Sequence, residues 1–333
     1  MLIVRLGALG DIVHTVPAVA AIASAAPGAS IDWLVERRHR GVLDLFALPA
    51  TPIEIETGGS WMAMRSVVGG LRSVRYDVAL DFQGLLKSAV LARLSGARRT
   101  VGFIKGALRE PMAGMMYSEQ VDPGAAPHVI GKNLALARAV GAGLQARVTD
   151  EIRLPLAAAD AAPAPWRAVV LNPGAGWPNK QWAPERFGQL AAAIRQKHGL
   201  TSIVTWGPGE EPLARGVVDA SGGAAEAAPA TSLPALMTLL RRAVLVVSGD
   251  TGPVHLAAAA GTPVVGIYGP TDPRRNGPWS AFDETVSRFD ACECHHKRRC
   301  QRASRCLDDI AVGDVLHAVD VRLAKPDAMS RRS

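Results

Sequence analysis

An aspartate follows directly on a glycine-rich turn near the start of the chain, in the segment L-G-A-L-G-D-I-V-H-T-V-P. The turn separates an apolar run from a helix-like stretch, and open α/β folds bind ligands at such turns. Gly7 and Gly10 allow a ligand close to the backbone, but the G-x-G-x-x-G spacing of dinucleotide-binding folds is absent. Asp11 has two interpretations: a cap of the following helix, or a catalytic carboxylate facing the cleft between two domains.

A second glycine-rich segment, N-P-G-A-G-W-P-N-K-Q-W, begins at Asn172. Backbone amides of such a loop, together with one mobile lysine, can hold a diphosphate. Lys180 is the candidate cation, although the G-K-[ST] order of a P-loop is missing. The alternative is an ordinary strand-to-helix turn with a solvated lysine.

A third segment, S-G-D-T-G-P-V-H-L-A-A, begins at Ser248. A strand pattern ends here and a helix pattern opens, so first-turn amides and a threonine hydroxyl can bind phosphate. His255 falls on the first turn of that helix, where a single histidine is more often structural. The downstream stretch Y-G-P-T-D-P favours a ligand-binding edge.

The stretch from Phe82 to Arg109 contains six basic residues and no acidic one. One interpretation is a solvated surface, and the other is a rim that binds a negatively charged acceptor or lipid headgroups. Lys87 and Arg109 are the two bases that stand in recognisable motifs.

All four cysteines of the chain fall between Cys292 and Cys306, with two histidines among them. The spacings C-x-C, x₅ and x₅ fit no common zinc module. Three interpretations remain open at this point: a structural metal site, a reversible disulfide, and plain local packing. We predict no catalytic metal. The four candidate ligands of the less favoured metal interpretation are Cys292, Cys294, Cys300 and Cys306.

Short apolar runs alternate with alanine- and leucine-rich helical stretches along the chain. Such alternation predicts parallel sheets covered by helices, joined by right-handed crossovers. The predicted strands are Leu2–Leu6, Ile31–Val35, Val78–Asp81, Val169–Asn172, Ser202–Trp206, Val244–Ser248 and Pro263–Tyr268. The predicted helices include Val16–Ala26, Pro184–His198, Leu233–Arg241, Pro253–Ala260 and Ala311–Ala324.

An alanine- and proline-rich stretch interrupts this alternation before Trp166. We interpret residues 156–166 as a linker. The predicted fold is α/β, with an N-terminal Rossmann-like domain (1–155), a C-terminal one (167–333), and a central cleft. A chain of 333 residues is long enough for two such cores.

The formal charge of +7 divides evenly, with +4 in residues 1–155 and +3 in the remainder. A mildly basic protein of this kind suits phosphates or a membrane surface. Because no aromatic-interleaved basic motif is present, we expect no nucleic-acid partner. No apolar stretch has the length of a membrane span, and no signal-peptide pattern begins the sequence. We therefore expect a cytoplasmic location.

Four motifs, in this order, resemble those of the bacterial lipopolysaccharide heptosyltransferases: G-D-I-V-H-T-V-P-A, D-F-Q-G-L-L-K-S-A, N-P-G-A-G-W-P-N-K-Q-W and S-G-D-T-G-P-V-H-L-A-A-A. The similarity is strongest to the heptosyltransferase I branch of glycosyltransferase family 9, and it runs from residue 1 to about 280. Four ordered motifs are far more specific than any one of them.

The resemblance implies a GT-B fold and an inverting, metal-independent transfer from ADP-heptose to a Kdo sugar of the lipid A inner core. It makes Asp11 the general base. It assigns the donor to Asn172, Gly174, Lys180, Glu210, Thr231, Asp250, Thr251, Gly252 and His255, with Glu211 as the alternative to Glu210 at the ribose. We assign the acceptor to Gly10, His14, Lys87 and Arg109.

A lipid-anchored acceptor also implies peripheral contact with the inner face of the inner membrane. Two further interpretations stay open. The first is a related transferase with another nucleotide sugar or another surface-glycan acceptor. The second is a non-catalytic nucleotide-binding Rossmann protein, which would have no need of Asp11.

Overall fold

The chain forms two compact units in the computed structural model, which describes residues 1–141, 154–157, 166–295, 297–300 and 304–326. The first unit contains the described residues up to 141 together with Leu154–Ala157. The second contains those from Trp166 onward. Each unit is built around its own parallel sheet, and each is described separately below.

The first sheet has six parallel strands in the order β3-β2-β1-β4-β5-β6. Leu2 at the start of the central strand pairs in register with Asp32 on one side and Ala79 on the other. This is the strand order of dinucleotide-binding folds. The strands are β1 Leu2–Val4, β2 Asp32–Glu36, β3 Thr51–Ile55, β4 Val78–Asp81, β5 Arg99–Phe103 and β6 Glu119–Val121.

The second sheet repeats this architecture, with six parallel strands in the order β12-β11-β10-β7-β8-β9. Read from its first strand, the order is the same as in the first sheet. The strands are β7 Ala168–Asn172, β8 Thr201–Val204, β9 Ala225–Ala227, β10 Leu245–Gly249, β11 Val264–Tyr268 and β12 Glu284–Ser287.

Helices connect the strands, and their apolar side chains pack with those of the sheets. In the first unit they are α1 Leu9–Val13, α2 Val16–Ala25, α3 Trp61–Val74, α4 Leu86–Leu94 and α5 Val129–Arg138. In the second they are α6 Pro184–His198, α7 Glu211–Ala220, α8 Leu233–Arg242, α9 Gly252–Ala259, α10 Pro273–Asn276 and α11 Val312–Leu323. Fully buried strand residues such as Leu2 and Val169 belong to two separate cores.

The predicted α/β fold with two Rossmann-like halves is confirmed, and all seven predicted strands overlap observed ones. Sequence reasoning missed five strands, and four of these (β3, β6, β9 and β12) are the outer edges of the two sheets. Edge strands are half exposed and carry polar residues. The Thr51–Ile55 and Glu119–Val121 strands therefore lack the continuous apolar run by which buried parallel strands are recognised.

The described residues at the two ends of the predicted linker attach to different units. Leu156 bridges to Phe46, and the Ala157 N–H donates to the Leu45 carbonyl at 2.9 Å, both within the first unit. The Trp166 N–H donates to the Arg242 carbonyl of the second unit at 2.8 Å. The predicted linker residues 158–165 lie outside the described residues.

No helix in the described part of the chain is long and apolar enough to cross a membrane.

Helices α6 and α7 approach so closely at Gly188 that a Cβ there would lie 2.5 Å from the Ala220 Cβ and 2.7 Å from the Val217 carbonyl oxygen. We expect Gly188→Ala to lower the free energy of unfolding by about 1–3 kcal/mol, because the overpacked helices must separate. Urea denaturation measures this.

The matched control is Gly70→Ala in α3, where an added methyl meets nothing within 4 Å. Because alanine is the better helix former, this change should raise stability by about 0.5–1 kcal/mol. Equal urea midpoints for the two variants would contradict the packing argument.

Candidate functional site

The candidate residues of each unit gather where the strand order of its sheet reverses. In the first unit this point lies between β1, which leads to Asp11, and β4, which ends at Asp81. In the second it lies between β7, which ends at Asn172, and β10, which leads to Asp250. Loops diverge at such a switch point and leave a crevice at the carboxyl ends of the strands. The structure thus supplies one candidate ligand edge in each unit.

Asp11 lies in the first turn of α1, and its two carboxylate oxygens have different partners. Oδ2 accepts from the Ala8 N–H at 3.3 Å, and Oδ1 lies 2.7 Å from Nη2 of Arg5. The side chain remains 41% exposed. The two interpretations of Asp11 are therefore compatible, because the carboxylate both contacts the helix start and remains accessible to a substrate.

Arg5 is a buried cation that joins the two loops of this edge. Its Nη1 donates to the Phe82 carbonyl at 2.5 Å, while Nη2 holds Asp11. The neighbouring Leu6 N–H donates to Oε1 of Gln83 at 2.8 Å. Sequence reasoning missed Arg5, although a lone arginine at the end of an apolar strand was a usable signal. We assign Arg5 as the residue that positions Asp11.

Asp81 fixes the second loop of the edge. Its fully buried carboxylate accepts hydrogen bonds from Ser88 Oγ and Tyr117 OH, both at 2.8 Å, and from the Gln83 N–H at 2.9 Å. Burial raises the pKa of Asp81, and these hydrogen bonds oppose the rise. The network sets the start of α4, which carries Lys87.

The predicted acceptor residues do not all face solvent. Gly10 lies in α1 beside Asp11, and Lys87 and Arg109 are exposed. His14 is only 1% exposed, and its ring packs edge-on against that of His128 at a centroid distance of 5.4 Å. The buried His14 ring has little surface to offer a ligand, so its assignment to the acceptor stays a prediction.

In the second unit, Asp250 is a buried carboxylate, 4% exposed, surrounded by donors. Lys180 Nζ lies 2.5 Å from its Oδ2, and Asn276 Nδ2 donates to its Oδ1 at 2.8 Å. His255 Nε2 lies 3.4 Å from Oδ1. The structure thus assembles Lys180, Asp250 and His255 as predicted, and it adds Asn276, whose position after Y-G-P-T-D-P gave no separate signal.

The charge of Asp250 determines where the Lys180 ammonium lies. Burial alone raises the pKa of Asp250, but the hydrogen bond from His255 and the charges of Lys180 and His255 outweigh it and hold the pKa well below its usual range. The ionised carboxylate fixes Lys180, which is 16% exposed and lies 4.5 Å from the Trp177 ring centroid. Helix α9 begins at Gly252, next to this ion pair, so cation and helix N-terminus act on one place.

The Asn172 side chain is buried and hydrogen-bonded within its own unit. Its Nδ2 donates to the Gly174 carbonyl at 3.0 Å and approaches Ser248 Oγ at 3.4 Å. Its Oδ1 accepts from Thr205 Oγ1 at 3.2 Å. These bonds engage both polar atoms of the side chain, and the assignment of Asn172 to the donor stays a prediction.

Glu210 and Glu211 point to different surroundings. A Cβ on Gly174 would lie 2.0 Å from Glu210 Oε2, so that carboxylate packs directly against the glycine-rich loop. It also accepts from the Gly207 N–H at 2.9 Å. Glu211 instead pairs with Arg215 on the surface of α7 at 2.6 Å. Of the two glutamates, the structure places Glu210 at the candidate site.

The remaining predicted donor residues are located by their positions relative to helices and strands. Thr251 directly precedes α9, and Gly252 is its first residue. Thr231 lies between β9 and α8, just before Ser232, whose hydroxyl accepts from the Ala235 N–H at the start of α8. Thr231 therefore follows β9, the edge strand that pairs with β8 in the second sheet.

The four cysteines are free thiols that pack in one cluster. Burial raises the pKa of Cys292, Cys294 and Cys306, to about 12 for Cys294. Such thiols are protonated at neutral pH and unsuited to nucleophilic chemistry. Of the two histidines of this segment, His295 donates through Nε2–H to the Phe289 carbonyl at 2.8 Å, and His296 lies outside the described residues.

The ionised state of Asp250 predicts a pH-dependent stability. We expect Asp250→Asn to lower the free energy of unfolding by about 3–5 kcal/mol at neutral pH, as when one partner of a buried ion pair is removed. Because the folded-state pKa is depressed, this stabilisation is complete above the unfolded pKa of about 3.9 and declines as the pH falls below it.

Urea denaturation between pH 7 and pH 3 tests this, with Asp77→Asn at an exposed carboxylate as the control. The gap between wild type and Asp250→Asn should narrow below about pH 4, while the control stays close to wild type throughout. A gap that is constant down to pH 3 would show that the carboxylate charge is not what stabilises the unit.

Comparison with known proteins identifies the family. The sequence profile of glycosyltransferase family 9 (heptosyltransferase) matches residues 64–307. Lipopolysaccharide heptosyltransferase 1 of Pseudomonas aeruginosa is 32% identical over 313 residues, covering 90% of this chain and 87% of that protein. The Escherichia coli K12 protein of the same name is 30% identical over 291 residues, covering 82% and 88% respectively.

Solved structures agree on the fold. The structure described as E. coli heptosyltransferase WaaC with ADP superposes with a TM-score of 0.77 at 24% identity, covering 96% of this chain and 99% of that one. E. coli ADP-heptose lps heptosyltransferase II gives 0.73 at 21% identity, covering 97% and 98%. The two six-stranded units thus have the GT-B fold of these enzymes. With the family pattern spanning most of its length, this chain belongs to glycosyltransferase family 9, the heptosyltransferases.

Proposed function

We propose that this glycosyltransferase moves heptose, with inversion at the anomeric carbon, from ADP-heptose to a Kdo residue of the lipid A inner core in lipopolysaccharide core biosynthesis. The single observation that carries the proposal is the Lys180–Asp250 ion pair beside the start of α9. Relatives named lipopolysaccharide heptosyltransferase 1 support it, as does the solved complex of WaaC with an ADP-2-deoxy-2-fluoro heptose.

The donor belongs, in this proposal, to the second unit. The leaving ADP gathers negative charge on its diphosphate as the anomeric bond breaks. Lys180, oriented by Asp250, and the amides of Thr251 and Gly252 stabilise that charge more in the transition state than in the ground state. Glu210 beside Gly174 is assigned to the ribose hydroxyls, and Thr231 to the surroundings of the adenine. With a fixed cation in place, the reaction needs no divalent metal at the diphosphate.

The general base belongs to the first unit. A single displacement requires a group that accepts the proton of the attacking hydroxyl. Asp11 supplies an accessible carboxylate, and Arg5 holds it in one orientation at 2.7 Å. Ala8 contacts the other oxygen, so the carboxylate is braced on both sides before substrate arrives.

The acceptor carries phosphates and sits in a lipid surface, and the first unit has an exposed face suited to both. Helix α4 packs on the turn Pro111–Met116, and that turn packs on the turn Lys105–Ala107. Lys87 and Arg109 supply charge there. Leu86, Met112 and Met115 are exposed apolar side chains on the same segments. We assign this basic and apolar surface to peripheral membrane contact.

Other bases of the Phe82–Arg109 run are engaged elsewhere. Arg99 forms two hydrogen bonds with Glu119, at 2.6 Å and 2.7 Å, and Arg98 lies 3.6 Å from Asp77. These two arginines offer less net positive charge to an anionic surface than Lys87 and Arg109.

Replacing the base should separate turnover from donor binding. We expect Asp11→Asn to lower kcat by about 10²–10⁴-fold, the range typical of a positioned general base, while ADP still raises the Tm. Transfer is measured in EDTA with ADP-heptose and a Kdo-bearing acceptor. Asp44→Asn is the matched control, since Asp44 is also paired with an arginine, Arg40.

Lys180→Ala should instead remove most of the Tm shift given by ADP, while Lys197→Ala on the surface of α6 should leave it intact. Stabilisation by UDP or GDP with no effect of ADP would contradict the proposed donor and favour a related transferase. Unchanged turnover in Asp11→Asn would contradict the proposed base.

Vesicle co-sedimentation tests the membrane surface. Lys87→Ala/Arg109→Ala should weaken binding to anionic vesicles more than Arg98→Ala/Arg99→Ala, which removes the same formal charge. Binding should fall as salt rises, because each near-surface base contributes about 1 kcal/mol of screened attraction. Equal effects of the two double variants would contradict the assignment. Activity on a delipidated acceptor should survive if Lys87 and Arg109 contact only the membrane, and should fall if they contact the sugar.

A further inference from the structure

The cysteine cluster (Cys292, Cys294, Cys300 and Cys306) has no role in the proposed transfer reaction. The Sγ atoms of Cys292 and Cys294 lie 3.4 Å apart. The Cys306 side chain contacts that of Cys292, and Cys300 contacts Cys294. All the cysteines of a 333-residue chain thus converge on one point, although residues of other types separate them in sequence.

We propose that the cysteine cluster is a tetrathiolate site for a thiophilic metal ion, zinc or iron. A tetrahedral ion with metal–sulfur bonds of about 2.3 Å holds its sulfurs about 3.8 Å from one another. In the described residues no three candidate ligands are arranged to hold an ion, so metal binding requires the four contacting thiols to rearrange around a common centre. Expanding the Cys292–Cys294 separation from 3.4 Å requires a shift of only about 0.4 Å.

The chemistry of binding balances without a redox partner. Each of the four thiols releases its proton to solvent and forms one metal–sulfur bond. Four thiolates around a divalent ion carry a net charge of −2. The segment from Cys292 to Cys306 otherwise contains five basic residues and one acid, Glu293. Its net positive charge therefore complements a tetrathiolate complex.

The segment is held by isolated hydrogen bonds and not by regular secondary structure. Between the end of β12 at Ser287 and Cys306, the described residues form no helix or strand. Connections of that length without secondary structure are uncommon in compact domains. A metal ion at the centre of such a segment supplies the folding energy that a small apolar cluster does not.

The cysteine cluster lies directly behind the loop that carries Lys180. Asn179, which is buried, donates through Nδ2 to the Lys297 carbonyl at 2.7 Å and lies 3.9 Å from Cys294 Sγ. Arg305 donates to the carbonyls of Pro178 and Gln181, each at 3.2 Å. The metal site therefore positions the Lys180 loop, a consequence that rests on the proposed donor site.

Metal analysis of the full-length protein is the first test. Protein purified without a metal-binding tag, from media supplemented with zinc or with iron, is assayed by elemental analysis and absorption spectroscopy. We expect about one metal ion per chain, released when a mercurial reagent titrates the thiols. A visible thiolate-to-iron band identifies iron, and its absence with bound zinc identifies zinc. Four free thiols without stoichiometric metal, or a disulfide between any two of them, overturn the proposal.

Substitutions test the ligand set. Cys294→Ser and Cys306→Ser should each lose the metal, whereas His295→Ala should retain it, because that ring stacks on Phe289 at 4.1 Å and bonds to its carbonyl. Loss of metal from His295→Ala overturns the four-sulfur assignment. Since serine variants can fail to fold, cobalt(II) is also exchanged into the wild-type protein. Absorption bands other than those of tetrahedral cobalt with four thiolates overturn the proposal.

The link to the donor loop is measured separately by ADP titration. Metal-depleted protein should bind ADP at least several-fold more weakly, and added zinc or iron should restore the affinity. Unchanged ADP affinity after depletion overturns the positioning role. The metal content itself does not depend on which nucleotide or sugar the enzyme uses, so a failure of the proposed function leaves that test unaffected. Conversely, Asp11→Asn should lose turnover and keep its metal.

Discussion

A buried carboxylate constrains the ligand edge of the second unit. A charge as deeply placed as that of Asp250 is tolerated only if cations and hydrogen-bond donors surround it. Lys180 arrives from the loop after β7, Asn276 from α10, and His255 from α9. Three separate segments are thereby held together around one group, and the geometry of this candidate ligand edge follows from neutralising the buried charge.

The first unit also contains a buried charge at its ligand edge, but there the buried ion is a cation. Arg5 holds the exposed Asp11 against the loop that begins at Phe82. In both units the buried partner orders the loops at the switch point of the sheet. The more accessible partner, Asp11 or Lys180, is the one to which we assign chemistry. This shared plan follows from the shared strand order, because loops that diverge at a switch point need a group to bridge them.

That arrangement fits the two demands of glycosyl transfer. The attacking hydroxyl needs a carboxylate fixed in position. The departing diphosphate needs a cation held where negative charge develops in the transition state. An ion pair formed before substrate arrives meets both needs, since the reorganisation is completed during folding. Asp81 and the packing at Gly174 extend the same principle, as each fixes a loop from below so that its outer face stays rigid.

The sequence alone determined the α/β class, the two Rossmann-like halves and the family, and it predicted the loops at which the candidate residues lie. Continuous apolar runs mark buried parallel strands, and four ordered motifs mark their loops. Sequence reasoning missed the short polar edge strands because exposed strands lack a continuous apolar run. Only the tertiary structure revealed Arg5 and Asn276, separated Glu210 from Glu211, and showed that His14 and Asn172 are buried. Contacts between residues distant in sequence decide each of these points, since burial and hydrogen-bond partners are properties of the packed chain. The convergence of four irregularly spaced cysteines has the same origin, because the packing of the chain, not their spacing in sequence, brings the side chains together.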